Sequence, residues 1–333
     1  MKISINDLSL VPASGDRQHA MLNSIALATH AEALGYHRIW FGEHHTNILF
    51  NSCAPEILIA IVATQTSTIR LGAGSILLNY HTPFRIAEAF AYLSTLFPQR
   101  IDLGLGRNAS GTVLDKAFNS SIPDNPDASV KIRELVQWLE NSFPADHAFS
   151  NLQIPGQDNI PEVWISGSSV GSAKMAATLS LPYIFADFFS PALTTQALAE
   201  YSKSFAPQES QVRVRRPTSM VCFRVICCET LEEVRRLIAP LLVMGNEVKR
   251  GTFTHTLTPE EAIQELGYLP EVDKAIQENE LLANMVLGTP LMVEDAIMKK
   301  ISNLEVDELM IQDLILDHDA RLKSYELISS VIK

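Results

Sequence analysis

The chain has 333 residues, 47% of them hydrophobic and 19% charged, enough apolar material for one large core and too much for long disordered regions. Its 26 Lys and Arg stand against 38 Asp and Glu, a net charge of −12, which argues against nucleic-acid partners, because clustered cations are what displace counterions from phosphates. No apolar run approaches the roughly 18 residues of a membrane helix, and the polar opening Met1-Lys2-Ile3-Ser4-Ile5-Asn6-Asp7 does not read as a secretory leader. The four cysteines, Cys53, Cys222, Cys227 and Cys228, lack zinc-binding spacing. They are expected to be buried free thiols in a cytoplasmic protein.

Apolar β-rich runs alternate with helical patterns along the chain. A strand near Lys2–Leu8 is followed by a helix at Arg17–Leu34, closed by Gly35. Strand Arg38–Phe41, helix Pro55–Gln65, strand Ile69–Leu78, helix Phe84–Leu96 and strand Ile101–Leu105 continue the pattern. Residues Asn108–Asp127, rich in Ser, Asn, Gly, Pro and Asp, read as a surface loop. Helix Ala128–Asn141 and a second polar stretch precede strand Glu162–Ser166 and helix Ser172–Leu179. Strand Tyr183–Ala186, helix Thr194–Phe205, strand Met220–Cys228 and helix Leu231–Met244 follow. Gly245–Leu287 breaks the alternation with Glu-rich helical patterns. Helix Leu291–Leu304, strand Glu308–Gln312 and helix Arg321–Val331 close the chain. About eight strands with helical crossovers predict an α/β fold, a (β/α)8 TIM barrel, in preference to an open doubly wound sheet. The expectation is a single domain over 1–333, with insertions after strands 4 and 7. Residues 245–287 would be an insertion or lid.

In such a barrel the loops after the strands build the active site, and unusual polar residues occur at those places. Glu43-His44-His45 follows the second strand. Two imidazoles beside a carboxylate are costly to bury unless paired or used, and histidine titrates near neutrality, so the cluster suits proton transfer. A polar pair satisfied by backbone remains an alternative. So does a metal site of Glu43, His44, His45 and His81, although adjacent side chains on an extended segment diverge. Leu71-Gly72-Ala73-Gly74-Ser75-Ile76 places glycines inside a strand, either for close approach of a flat ligand or for tight barrel packing. Leu103-Gly104-Leu105-Gly106-Arg107-Asn108 delivers an arginine suited to phosphate, or to a structural salt bridge. Ser166-Gly167-Ser168-Ser169-Val170-Gly171-Ser172 opens a helix and forms either an anion cradle or a plain N-cap.

Taken together, several segments resemble the luciferase-like family of flavin-dependent monooxygenases. They are the stretches from Tyr36 to His45, Ile69 to Ser75, His81 to Glu88, Pro98 to Arg107, Val163 to Ser169 and Val286 to Pro290, in the family's order along nearly the whole chain. The resemblance is closest to a small oxidoreductase subgroup. It implies a barrel holding FMN at the carboxyl ends of its strands. Arg107, Ser168 and Ser169 would contact the phosphate, and Gly74-Ser75 would form a non-proline cis peptide against the isoalloxazine. Ile165 and Ala109 would turn backbone groups to the ring, and His44 would be the catalytic acid/base. The implied reaction uses reduced FMN and O₂ to oxygenate a small organic substrate through a flavin C4a-peroxide. Gly106 and Gly167 depart from the luciferase pattern, which argues against light emission. With no NAD(P)H fingerprint in Gly104-x-Gly106, a separate flavin reductase is the expected partner. A homodimer formed through early helices such as Pro55–Gln65 is also implied. The alternatives are F420-dependent hydride transfer on the same barrel and a non-catalytic flavin-binding relative.

Overall fold

The computed structural model describes residues 1–332 except 107–111, 120–126, 157, 209 and 211. Nine strands alternate with helices: β1 (Lys2–Asp7), α1 (Arg17–Ala33), β2 (Arg38–Phe41), α2 (Pro55–Ala63), β3 (Arg70–Leu77), α3 (Pro83–Leu96), β4 (Ile101–Gly106), α4 (Thr112–Asn119) and α5 (Ala128–Glu140). The chain continues through β5 (Glu162–Gly167), α6 (Val170–Thr178), β6 (Tyr183–Ala186), α7 (Thr194–Ser204), β7 (Ser219–Cys227) and α8 (Leu231–Arg250). It ends with α9 (Pro259–Leu266), α10 (Val272–Glu278), α11 (Glu280–Ala283), β8 (Met285–Gly288), α12 (Pro290–Ile301), β9 (Glu308–Gln312) and α13 (His318–Val331). All pairings are parallel, in the order β6-β5-β4-β3-β2-β1-β9-β7, and β6 also pairs with β7. The ring is therefore closed by eight strands, and β8 adds to β7 alone. This is the expected TIM barrel. No helix of the described residues is long and apolar enough to cross a membrane.

The barrel interior fills from the amino ends of the strands upward. The lowest layer is ionic. The Arg38 guanidinium donates to Asp102 Oδ2 at 2.8 Å and grips Glu308 through Nε (2.8 Å) and Nη2 (3.1 Å). Arg70 bonds the other oxygen of Asp102 and lies 3.1 Å from Glu162. Burial alone would raise the Asp102 carboxyl, but Arg38 and Arg70 hold it below its ordinary value. The next layer is apolar: Trp40 and Trp164 meet edge to face, 5.8 Å between centroids, among Ile184, Met220 and Met310. Trp40 Nε1 donates to Asp102 Oδ2 at 2.9 Å and so joins the two layers. A Cβ on Gly72 would stand 2.6 Å from the Trp40 ring. Packing, the less functional of the two readings of that glycine, is what the structure uses.

Three segments differ from the sequence-based expectation. Part of the polar stretch Asn108–Asp127 is the helix α4, whose Phe118 stacks on Tyr80 at 4.5 Å. One aromatic anchor holds it, a signal that its Ser- and Asn-rich flanks conceal. Helix α8 does not stop near Met244 but runs to Arg250, capped by left-handed Gly251. Gly245 lies inside it because Asn279, the N-cap of α11, approaches so closely that a Cβ there would overlap its amide. Strand β8 occupies the end of the expected excursion, since a run of four apolar-to-small residues gives too little periodicity to read. Cys53 is exposed rather than buried, while Cys222, Cys227 and Cys228 are buried free thiols as expected.

Replacing Asp102→Ala should leave two guanidinium groups under-paired inside the barrel and cost about 3–5 kcal/mol. Urea denaturation should show this as a fall in midpoint, and an unchanged midpoint would refute the ionic layer's structural role.

Candidate active site

A cavity of about 540 Å³ opens above the tryptophan layer at the carboxyl ends of the strands, well within the roughly 300–1,000 Å³ of small-molecule sites. Every strand of the ring reaches it: Asn6, Trp40, Gly74, Gly106, Ser166, Ala186, Arg224 and Gln312 line it from β1, β2, β3, β4, β5, β6, β7 and β9.

The cluster Glu43-His44-His45 splits into two environments. Glu43 is 3% exposed and accepts three hydrogen bonds: from His45 Nε2 (2.7 Å), His81 Nε2 (2.8 Å) and the Leu77 backbone N–H (2.7 Å). Burial pushes its carboxyl up, but the bonds from His81, Leu77 and His45 prevail and hold it below the usual range. Glu43 is thus an ionised clamp joining the loop after β2 to the loop after β3. Phe118 of α4 packs on His45, 4.7 Å between ring centroids, so the same clamp seats that helix.

His44 turns to the other side. Its backbone N–H donates to Ser52 O (2.7 Å) and its ring lies 4.5 Å from Phe50. Its Nδ1 is buried and meets no hydrogen-bond partner among the described residues. Burial lowers its pKa to about 4, with the charges of His45 and Arg224 acting in the same direction and Glu43 against them. His44 is therefore a neutral imidazole at pH 7, facing the cavity. His45 and His81 converge on Glu43 through their Nε2 atoms and His44 does not join them, and no group of three or more potential metal ligands occurs among the described residues.

Arg224, within the apolar strand β7, lines the same cavity. Its Nε donates to Gln312 Oε1 at 2.7 Å, and its Cζ lies 4.1 Å from the centroid of Phe188. Burial lowers its pKa to about 10, still leaving it cationic at neutral pH. Cys222, below it, has its thiol pushed up by burial and stays protonated.

The chain matches the family model described as luciferase-like monooxygenase over residues 1–307. A luciferase-like monooxygenase of Escherichia coli strain K12 is 34% identical, covering 98% of this chain and 96% of its own. The chain belongs to the luciferase-like monooxygenase family. Among solved structures, apo-MsnO8 superposes with a TM-score of 0.87 at 31% identity, covering 99% of this chain and 98% of its own. The oxygenating constituent of the 3,6-diketocamphane monooxygenase of Pseudomonas putida, solved with FMN, shares the fold. It has a TM-score of 0.70 at 20% identity and covers 100% of this chain and 97% of its own.

In this luciferase-like monooxygenase the residues singled out from sequence are distributed unevenly around the cavity. Gly74 and Ser75 line it, and the peptide between them is cis. Ser168 lines it as well. Ser169 instead caps α6: its hydroxyl accepts from the Ser172 N–H at 3.2 Å, within a reciprocal capping box. Ile165 is fully buried in the core, its N–H bonded to Pro182 O, and does not line the cavity. Arg107 and Ala109 lie outside the described residues. Sequence reasoning missed Asn6, Arg224 and Gln312. The available signal was a lone polar residue near the carboxyl end of an apolar strand, the argument applied to Arg107.

NMR of histidine-labelled protein, with the signal assigned through His44→Asn, should show the His44 ring neutral through pH 6 and titrating near pH 4. Because the folded pKa lies below that of the free imidazole, this ring contributes stability that is present above about pH 6.5 and is lost toward pH 4. Titration near 6.5 would mean that the ring is solvated.

Proposed function

We propose that this monooxygenase uses reduced FMN and O₂ to oxygenate a small organic substrate, with His44 as the proton-handling residue. The observation that carries the reading is the pair of buried polar atoms at the cavity, His44 Nδ1 and Asn6 Oδ1, that lack partners among the described residues. An unpartnered buried polar atom is costly, and where it lines a cavity a ligand can satisfy it. The residues fit FMN. The backbone at Gly74, Ser75 and Gly106 forms one wall, and Ser168, at the entry to α6, offers a hydroxyl beside a helix N-terminus where a phosphate is favoured. Arg107 is the cation proposed to complete that phosphate site, and Ser169 would contribute by holding the helix end in shape.

Reduced FMN, when bound, supplies the electrons that activate O₂. The protein orients the reactants and excludes bulk water. His44, neutral in its desolvated position, accepts or returns a proton at Nδ1. Glu43 keeps the segment in place without taking the proton itself. Helix α4, held on His45 and Tyr80 by Phe118, covers this side of the site as a lid. A separate flavin reductase is proposed to supply reduced FMN. A homodimer through α2 is supported by its exposed apolar side chains, Ile57 at 55% and Ile61 at 37%.

Fluorescence titration should show FMN binding in preference to F420, and oxygen uptake with a flavin reductase should reveal turnover across a panel of organic substrates. Tight F420 binding without FMN binding overturns the reading. His44→Ala should lower turnover by about 10²–10⁴-fold, the usual contribution of a positioned acid/base, with FMN affinity preserved. Unchanged turnover removes the assigned role. Arg107→Ala should weaken FMN binding.

A further inference from the structure

Two arginines of the barrel interior differ in kind: Arg38 is buried, and Arg224 is partly exposed at the cavity. Arg38, in the lowest layer, faces Asp102 and Glu308. Arg224, at the cavity, has no carboxylate within 4 Å among the described residues, and its one hydrogen bond there is from Nε to the neutral Gln312. The strand register fixes this polar row: Arg224 of β7 pairs with Gln312 of β9, which pairs with Asn6 of β1. With Gln312 Oε1 occupied by the guanidinium, the amide NH₂ of Gln312 is a second donor at the same height. Phe188 lies against the guanidinium at 4.1 Å and Phe189 at 5.5 Å. These rings fix its plane without neutralising it.

A guanidinium largely shielded from water and given no counter-charge is costly to keep. An arginine so placed is a preorganised receptor for a planar anion, since its parallel N–H groups match the two oxygens of a carboxylate. Its position argues against the cofactor as that anion. In the ring of eight, β7 stands opposite β3, the strand that carries Gly74 and Ser75. The proposed phosphate site lies after β4 and β5. Ile184 and Met310 add apolar surface next to this row.

We infer that Arg224 and Gln312 form the carboxylate-recognition site for the substrate, and that the substrate is a small organic acid whose apolar body lies between this wall and the flavin. The inference rests on the FMN reading for which face the cofactor takes. It identifies the substrate by its charge. Arg224 acts here as a binding and specificity-determining residue, with His44 near enough to feel its charge.

The test uses benzoate and its neutral analogue benzamide on the flavin-free protein, followed by ligand-observed NMR, with FMN titrated separately by fluorescence. Benzoate should bind and benzamide should bind at least about tenfold more weakly, as expected when a charged hydrogen-bonded pair is lost. Arg224→Met should lower benzoate affinity by at least about tenfold and leave FMN affinity unchanged. Arg224→Lys, which keeps the charge and loses the planar fork, should fall between them and serves if the Met variant does not fold. Failure of the wild type to bind benzoate, equal affinity for the two probes, or loss of FMN rather than benzoate in the variants would each overturn the inference. Arg224-dependent benzoate binding in a protein that does not bind FMN would uphold the anion site and remove the flavin reading.

Discussion

A guanidinium taken out of water must meet negative charge, and the closed end of this barrel contains two. Arg38 and Arg70 enter from β2 and β3. The carboxylates that answer them come from β4, β5 and β9, on Asp102, Glu162 and Glu308. Five of the eight ring strands are held at common height by this one requirement, and Ser4 of β1 joins it through Glu308. Trp40 is then set in place by its bond to Asp102, and its indole fills the space where a side chain on Gly72 would otherwise stand. The lower barrel is thereby solid. The cavity that all eight ring strands share lies at their carboxyl ends.

The same electrostatic logic separates neighbours at the open end. Glu43 and His44 are adjacent in the chain, yet one receives three hydrogen bonds and the other leaves Nδ1 bare among the described residues. Ionised and locked, Glu43 is suited to architecture. Neutral and unsatisfied, His44 is suited to chemistry. Burial acts on both, and the difference in partners decides the outcome.

The eight ring strands were legible because short runs rich in apolar residues alternate with helical periods, a pattern that survives without tertiary information. Strand β8 is too short to show a period, and α8 passes through a glycine that exists for Asn279, a contact 34 residues away in sequence. Of the residues at the cavity, His44 and Ser168 stood out by lying just after strands, and Gly74 and Ser75 by the glycines inside one. Arg224 and Arg38 differ in sequence only by their place along the strand, Arg38 opening β2 and Arg224 lying in the second half of β7. Each is a single arginine in an apolar strand, and only the fold reveals that one meets carboxylates while the other meets a glutamine and two phenylalanines. The even choice between ligand contact and packing at Gly72 was likewise settled by a partner, Trp40, 32 residues earlier in the chain.

Strand β7 is forked: its first half bonds β6 and β9 and closes the ring, while its second half bonds β8. The chain between β7 and β9 can leave the barrel, build five helices and a strand, and return without interrupting the closure. Leu8, Leu10 and Leu49 from the rim pack with Leu282, Met285 and Leu314 in one apolar cluster, so this outgrowth is welded to the edge of the cavity. Such an arrangement separates two kinds of evolutionary change. Length and composition can drift beyond the fork while the ring that holds the reactants keeps its geometry, giving the fold a place to acquire new selectivity without renegotiating its closure.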